Sequence, residues 1–202
     1  MSSRSASTFR LRVTYAYYSL LVVLAATAGR PAPLPPLAEQ AAGAIAVLLV
    51  ALACFGRIWC SAFLAGHKDT RLVTDGPYSV CRHPLYAFSL VGGLGLGIAT
   101  RSLTLTLLTL TLLGSLFARA ARDEERTLME RHGTAFREYA RTVPRWWPRL
   151  SAFHLPAQVD LRPRIFRKAF LDAGSFVLLY VLIDTARALR DSGMLPTLLP
   201  LP

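Results

Sequence analysis

The amino-acid sequence predicts an all-α, polytopic integral membrane protein with four to five transmembrane helices. Hydrophobic residues make up 53% of the 202 residues, whereas charged residues make up only 17%. A soluble domain usually carries charge on about a quarter of its residues. Several apolar runs approach the roughly 20 residues that a helix needs to cross a bilayer, and the basic residues lie mostly between these runs.

The apolar runs predict the order of the helices. They cover residues 13–28, 37–55 with an extension to 64, 85–99, 103–118 and 169–189. A proline-rich turn at 30–36 separates the first two runs, and only residues 100–102 separate the third from the fourth, which predicts a tight hairpin. The first run also resembles a signal peptide, because residues 26–28 resemble a cleavage site. The last run carries three charged residues, so a spanning, a re-entrant and an interfacial helix all fit it.

The distribution of charge predicts an orientation in the membrane. The net charge is +11, and nearly all basic residues lie in the N-terminal arm, in residues 67–83 and in residues 119–168. The positive-inside rule places these segments, and the N-terminus, in the cytoplasm. The chain has no recognisable nucleic-acid-binding motif, so we expect anionic membrane lipids rather than nucleic acid as partners of the arginines. The preference for Arg over Lys suggests a bacterial protein of the inner membrane.

The cysteines and histidines predict neither a disulfide framework nor a metal site. Cys54, Cys60 and Cys81 are odd in number and form no CxxC pair, and we interpret them as structural. The four histidines are scattered without the spacing of metal ligands.

The first polar segment with candidate chemistry covers residues 74–86. Pro84 suits the first turn of the third apolar helix, so His83 is expected at its cap, beside free backbone N–H groups. Together with Arg82, His83 predicts an anion pocket at the membrane surface, and Tyr86 adds a hydroxyl group one turn into the helix. The alternative is an ordinary juxtamembrane arginine with an interfacial tyrosine.

The second polar segment covers residues 122–148 and reads as an amphipathic helix. One face carries Leu128, Met129, His132, Phe136, Tyr139 and Val143. Glu125 lies in the middle of this face, whereas Glu124 points about 100° away, toward solvent. A carboxylate on an apolar face is costly unless it is paired, so Glu125 is a candidate site residue or the partner of an arginine. Gly133 weakens the helix.

The third apolar run contains four glycines, namely Gly92, Gly93, Gly95 and Gly97. Small residues allow membrane helices to pack closely. The alternative is that they make room for a cofactor or a lipid tail.

The two polar segments together resemble the isoprenylcysteine carboxyl methyltransferase-like family, which also takes in phospholipid methyltransferases. The resemblance covers about residues 40–150. It rests on Gly76-Pro77-Tyr78, Arg82-His83-Pro84-Leu85-Tyr86, Glu124-Glu125, Tyr139 and Val143-Pro144-Arg145-Trp146-Trp147-Pro148. Phe88 replaces a common glycine and is expected to narrow the pocket, Phe136 replaces a common tyrosine, and the two tryptophans are bulky.

This resemblance divides the chain into two parts. Residues 1–155 would form a membrane methyltransferase core, with cofactor motifs at 74–88 and 122–148. Residues 156–202 would form a C-terminal extension with a membrane-associated or spanning helix.

The resemblance also implies S-adenosylmethionine as cofactor and a role for each matching residue. His83, beside Arg82, would hold the cofactor carboxylate, and Glu125, with Glu124, would bind its ammonium group or ribose. Arg145 would close the site or orient an acidic acceptor. The remaining cofactor-site residues are Tyr78, Pro84 and Tyr86.

The implied reaction is direct methyl transfer, at the cytoplasmic face, to a lipophilic acceptor such as an isoprenylcysteine or isoprenoid carboxylate or a lipid amine. A carboxylate needs no base, whereas for an amine or phenol Glu125 or Tyr139 would serve. Two alternatives stay open: an NADPH-dependent, sterol-reductase-like enzyme, and a non-catalytic lipid-binding membrane protein.

Overall fold

The computed structural model describes residues 3–27, 35–64, 71–159 and 163–195, and all regular secondary structure in these residues is helical. The α-helices are α1 (Ser3–Thr27), α2 (Pro36–Leu64), α3 (Pro77–Val80), α4 (Pro84–Ala99), α5 (Leu103–Thr142) and α6 (Pro163–Asp191). A 3₁₀ turn covers Leu150–Ala152. The predicted all-α class is therefore confirmed, while Arg30 and His67 lie outside the described residues.

Three of the described helices are long and apolar enough to cross a bilayer, namely α2, α5 and the part of α6 from Phe166 to Asp191. Shorter apolar stretches occur in α1, at Ala16–Thr27, and in α4, at Pro84–Ala99. This pattern confirms a polytopic membrane protein. It also shows that the last apolar run has the length and the hydropathy of a spanning helix.

Local sequence signals explain where the central helices begin. Pro84 occupies the first turn of α4, directly after His83 at the N-cap. The side chain of Ser102 caps α5 by accepting a hydrogen bond from the backbone N–H of Leu105 at 3.3 Å. Between α4 and α5 the chain reverses over Thr100 to Ser102, with Arg101 in the left-handed region at φ 60°. The predicted tight hairpin is thus confirmed.

The helices pack side by side, with α2 against α4 and α6, α4 against α5, and α1 against α6. We call the end where α4 begins the site end. At the opposite end, Arg190 donates to the carbonyl oxygen of Ala25 in α1 at 3.1 Å, and Arg187 pairs with Glu39 in α2 at 3.2 Å. Helix α6 therefore belongs to the bundle, and its Phe176 and Ile183 are part of the main hydrophobic core.

The glycines of α4 lie at close helix contacts. A Cβ atom on Gly97 would stand 2.8 Å from the backbone Cα of Thr106, and one on Gly93 would stand 2.5 Å from a methyl group of Leu113. The equivalent positions at Gly92 and Gly95 are filled by α2 and α6 side chains or backbone. The close-packing interpretation is confirmed, since neighbouring atoms occupy the space that a cofactor would need.

Helix α5 continues well beyond its apolar part, which ends near residue 118. The backbone breaks at Gly133, with φ 47°, as the weak position in the sequence predicted. Beyond the break, Phe136, Tyr139 and Val143 form a buried cluster. Met129, expected on the same face, is 37% exposed. The prediction for Met129 was wrong because the preceding residue, Leu128, packs against this cluster, and Met129 lies about 100° further around the helix.

The close contact at Gly97 predicts a destabilising substitution. We expect Gly97→Ala to lower the free energy of unfolding by about 1–3 kcal/mol, because the backbone of Thr106 cannot move aside like a side chain. Gly114→Ala is the matched control, since no atom lies within 4 Å of its Cβ position. Thermal unfolding in detergent measures both. Equal melting temperatures for the two variants would contradict the packing interpretation.

Candidate functional site

The predicted site residues come together at the site end of the bundle, where three chain segments meet. The loop 71–83 brings Arg82 and His83 to the start of α4, and α5 carries Glu125 beyond its apolar part. The segment 143–149 follows α5 and returns Arg145 to the same place. We call Arg82, His83, Glu125 and Arg145 the Glu125 cluster.

The carboxylate of Glu125 is the centre of this cluster. Its Oε1 accepts from Arg82 Nη1 at 2.9 Å, from His83 Nε2 at 3.0 Å and from Arg145 Nε at 3.0 Å. Its Oε2 accepts from Nη2 of Arg145, so that the guanidinium group binds both oxygens. The Glu125 side chain is only 11% exposed, and the paired arginines are what make its burial possible.

A second carboxylate lies at the solvent side of the cluster. The hydroxyl group of Tyr86 donates to Oε2 of Glu124 at 3.1 Å, and Nδ1 of His83 lies 3.8 Å from the same oxygen. The Glu124 side chain is 40% exposed, which agrees with its predicted direction. Two carboxylates therefore flank one imidazole ring, one buried and one open to solvent.

Aromatic rings form one wall of the site. The ring of Tyr86 stacks on His83 with a centroid distance of 5.7 Å, and on Phe117 of α5 at 5.3 Å. The ring of Trp146 lies 5.7 Å from that of His83. Phe88 packs against Gly56 of α2 and against the buried cluster that contains Tyr78. Trp147 is 85% exposed.

Backbone hydrogen bonds join the loop before α4 to the segment after α5. Arg82 N donates to Pro144 O, and Arg149 N donates to Val80 O, both at 2.9 Å. The thiol of Cys81 donates to the carbonyl oxygens of Arg145 and Trp146 at 3.3 and 3.4 Å. These bonds place the backbones of Arg82 and Arg145 next to each other, where both side chains reach Glu125. They also agree with the structural interpretation of Cys81.

Tyr139 of α5 contacts the backbone of the loop before α4. Its buried hydroxyl group donates to the carbonyl oxygen of Tyr78 at 2.8 Å. Burial, followed by the electrostatic effect of Cys81, raises the pKa of Tyr139. A protonated hydroxyl group that donates to the backbone is a poor general base. The hydrogen bond therefore favours a role of Tyr139 in holding the loop before α4 over the predicted role as a general base.

The electrostatics of the cluster fix the charge of Glu125. Burial pushes the pKa of Glu125 upward, but hydrogen bonds from Arg145 and His83 and the charges of Arg82 and Arg145 outweigh it, so that the pKa is lowered. For His83, burial lowers the pKa more than the bond to Glu125 raises it. At neutral pH the cluster therefore holds an ionised Glu125 and a neutral His83, whose Nε2–H is the donor.

Two buried donors beside the cluster have no hydrogen-bond partner in the described residues, namely the hydroxyl group of Tyr78 and Nε of Arg82. Burial raises the pKa of Tyr78, so its hydroxyl group stays protonated. Orphaned buried donors are uncommon in folded proteins and suggest a missing acceptor. The site therefore offers donors and guanidinium charge to an anion, and carboxylates to a cation.

Most of the predicted site residues therefore lie around one centre. Pro84 begins α4 and so aims His83 at α5. His83 contacts Glu125 in this structure rather than an outside carboxylate. Phe117 was not predicted as a site residue. Tyr86 and Phe117 lie 15 and 16 residues from Arg101 in the hairpin turn, so they stand at nearly the same level of the two antiparallel helices, and this spacing would have suggested their contact. The described residues contain no group of three or more side chains that could hold a metal ion.

The lowered pKa of His83 predicts a pH dependence of stability. The unfolded chain takes up a proton near pH 6.5, whereas folded His83 does so only at lower pH, so the free energy of unfolding decreases as the pH falls below about 6.5. We expect His83→Gln to flatten the fall in melting temperature between pH 7 and 5. His132→Gln, on α5 away from the cluster, should keep the wild-type slope. An identical slope in all three proteins would argue against a buried neutral His83.

Comparison with known proteins identifies the family. The family described as phospholipid methyltransferase matches residues 41–135, which include the loop before α4, the α4–α5 hairpin and Glu125. No solved structure matches the chain.

Two curated relatives cover most of the chain. The nickel-cobalt-cadmium resistance protein NccN of Alcaligenes xylosoxydans xylosoxydans is 35% identical over 158 residues, which is 78% of this chain and 74% of the relative. The cobalt-zinc-cadmium resistance protein CzcN of Cupriavidus metallidurans is 36% identical over 151 residues, which is 75% of this chain and 69% of the relative. With the family match and these long alignments, the chain belongs to the phospholipid methyltransferase family.

Proposed function

We propose that this protein transfers a methyl group from S-adenosylmethionine to a lipophilic acceptor at the cytoplasmic face of a bacterial inner membrane. The family supports methyl transfer. The observation that carries the proposal is the Glu125 cluster with its two orphaned donors, because a zwitterionic amino-acid group needs both signs of charge within a few ångströms. The arginine-rich segments around the site support the cytoplasmic orientation.

The chain's own residues would hold the two ends of the cofactor. Arg82, through its free Nε, and the Tyr78 hydroxyl group would receive the carboxylate of the methionine moiety. Glu124, open to solvent, would receive its ammonium group or the ribose hydroxyl groups, and Glu125 would hold Arg82 and Arg145 in place. The ring of Trp146 would give the sulfonium an electron-rich surface, and Tyr86, stacked on His83 and Phe117, would hold this wall in place. The bound sulfonium supplies an activated methyl group for direct transfer.

The acid–base properties of the site favour an acceptor that needs no deprotonation. Glu125 is ionised but its oxygens are occupied by guanidinium and imidazole donors, and Tyr139 donates to the backbone. Neither is free to remove a proton from an ammonium or phenol group. A carboxylate acceptor is already ionised at neutral pH, so positioning alone would bring it into line with the methyl group.

Isothermal titration of the detergent-purified protein with S-adenosylhomocysteine tests the cofactor assignment. We expect binding by the wild type and at least about tenfold weaker binding by Glu125→Gln, because the substitution removes the charge that orders Arg82 and Arg145. Arg82→Gln should weaken binding by a similar factor.

The matched controls for this titration are Glu130→Gln and Arg126→Gln, which change exposed residues on the same helix. Both should bind like the wild type. Titration with NADPH tests the alternative of an NADPH-dependent, sterol-reductase-like enzyme. A well-folded wild type that binds neither compound would overturn the enzymatic proposal and leave the lipid-binding alternative.

The names of the two relatives suggest the cellular process to which the reaction contributes. Both are called metal resistance proteins, whereas the described residues of this chain contain no candidate metal cluster. We therefore propose that the chain contributes to tolerance of divalent metal ions indirectly, by methylating an envelope component, rather than by binding the ions.

A growth experiment tests the proposed contribution to metal tolerance. In a strain that lacks the protein, we expect cadmium to inhibit growth at lower concentration, and the wild-type gene but not the Glu125→Gln variant to restore tolerance. Equal protein levels in the membrane fraction are the control. Rescue by Glu125→Gln would show that tolerance does not depend on methyl transfer.

A further inference from the structure

An arginine inside the apolar part of the bundle has no role in the Glu125 cluster. Arg57 lies in α2, seven residues before its end at Leu64. At 1.5 Å per residue this places its Cα about 10 Å below the end of the helix. Charged residues at such depth are costly in a membrane protein and commonly mark a functional site.

The surroundings of Arg57 do not neutralise its charge. Its Nη1 donates to the hydroxyl group of Ser89 in α4, and the guanidinium carbon lies 5.3 Å from the ring centroid of Phe176 in α6. Its Nε is buried without a hydrogen-bond partner, and no carboxylate of the described residues forms an ion pair with it. A hydroxyl group and an aromatic face stabilise a guanidinium ion only in part.

Arg57 is also close to the site already described. Cys60, one turn nearer to the site end, belongs to the same buried cluster as Tyr78. Ser89 lies one turn along α4 from Tyr86. Three residues of helix rise about 4.5 Å, so Arg57 lies about one turn deeper in the bundle than the aromatic wall of the site.

The depth of Arg57 matches that of a lipid headgroup. Helix α2 has 29 residues and is therefore about 43 Å long, whereas the hydrocarbon core of a bilayer is about 30 Å thick. A helix centred in the bilayer would place Arg57 a few ångströms inside the edge of the hydrocarbon. The acid group of a molecule whose tail lies in the bilayer would reach the same level. A long arginine side chain can also extend toward the interface.

We propose that Arg57 binds the anionic group, a carboxylate or a phosphate, of a lipophilic molecule that enters the bundle from the bilayer, and so selects an acidic methyl acceptor. The role of the bound molecule as a methyl acceptor rests on the proposed function, whereas the binding of its anionic group by Arg57 does not. The free Nε and the guanidinium charge recognise the anion, while Ser89 and Phe176 fix the orientation of the side chain. Arg57 thereby acts as a residue that determines specificity.

The change in melting temperature on ligand addition tests the proposal. The probes are oleate, dioleoyl phosphatidic acid and the neutral oleyl alcohol, each added to protein in an uncharged detergent. We expect oleate or phosphatidic acid, but not the alcohol, to raise the melting temperature of the wild type by several degrees. A shift with oleate identifies a fatty-acid carboxylate as the source of the anion, and a shift with phosphatidic acid identifies a phospholipid phosphate.

Variants assign the effect to Arg57. Arg57→Gln should lose the shift, and Arg126→Gln, which changes an exposed arginine of α5, should keep it. Should Arg57→Gln fail to fold, Arg57→Lys keeps the charge but not the geometry and should show a reduced shift, and Ser89→Ala, which removes the hydroxyl group that orients the guanidinium group, should reduce the shift as well. An equal shift in the wild type and the Arg57 variants, an equal response to oleyl alcohol, or no response of the wild type to either anion would overturn the proposal.

Titration of the same variants with S-adenosylhomocysteine separates the two proposals. Arg57→Gln should bind this compound like the wild type, because Arg57 does not contact the Glu125 cluster. Loss of the lipid response with intact cofactor binding supports the role of Arg57. Absence of cofactor binding in the wild type overturns the proposed methyltransferase, whereas the lipid response still decides whether Arg57 is an anion site.

Discussion

The neutralisation of Glu125 is the interaction on which the site depends. Its carboxylate lies on a mostly buried helix face and accepts hydrogen bonds from Arg82, His83 and Arg145. These donors come from both sides of the α4–α5 hairpin, so one ionised group fixes the relative position of two segments that are far apart in the sequence. A buried carboxylate without such partners would be protonated or would draw water into the bundle.

Much of this arrangement could be predicted from the sequence. Apolar runs gave the helices, Pro84 gave the cap position of His83, and the placement of Glu125 on an apolar face marked it as unusual. The exposure of Met129 and the packing of Phe88 against Gly56 could not be predicted, because each depends on packing between distant segments of the chain. The pairing of Arg82 N with Pro144 O has no local signal at all.

The two unusual charges of the bundle are balanced in different ways. Glu125 lies outside the apolar part and has two guanidinium partners, so its charge is compensated within the protein. Arg57 lies within the apolar part and has a hydroxyl group and an aromatic ring instead. The glycines of α4 bring this helix close to its neighbours in the apolar part of the bundle.

The long sequence separation within the site has a consequence for biosynthesis. The bonds between Glu125 and His83, between Tyr139 and Tyr78, and between His154 and Ser79 join residues 42, 61 and 75 positions apart. The α4–α5 hairpin can form while the chain is still being synthesised, but the contacts of the site extend to Arg149, whose backbone N–H donates to Val80 O. Insertion of these helices thus precedes assembly of the site, and a ribosome-bound chain that ends before Arg145 cannot complete it.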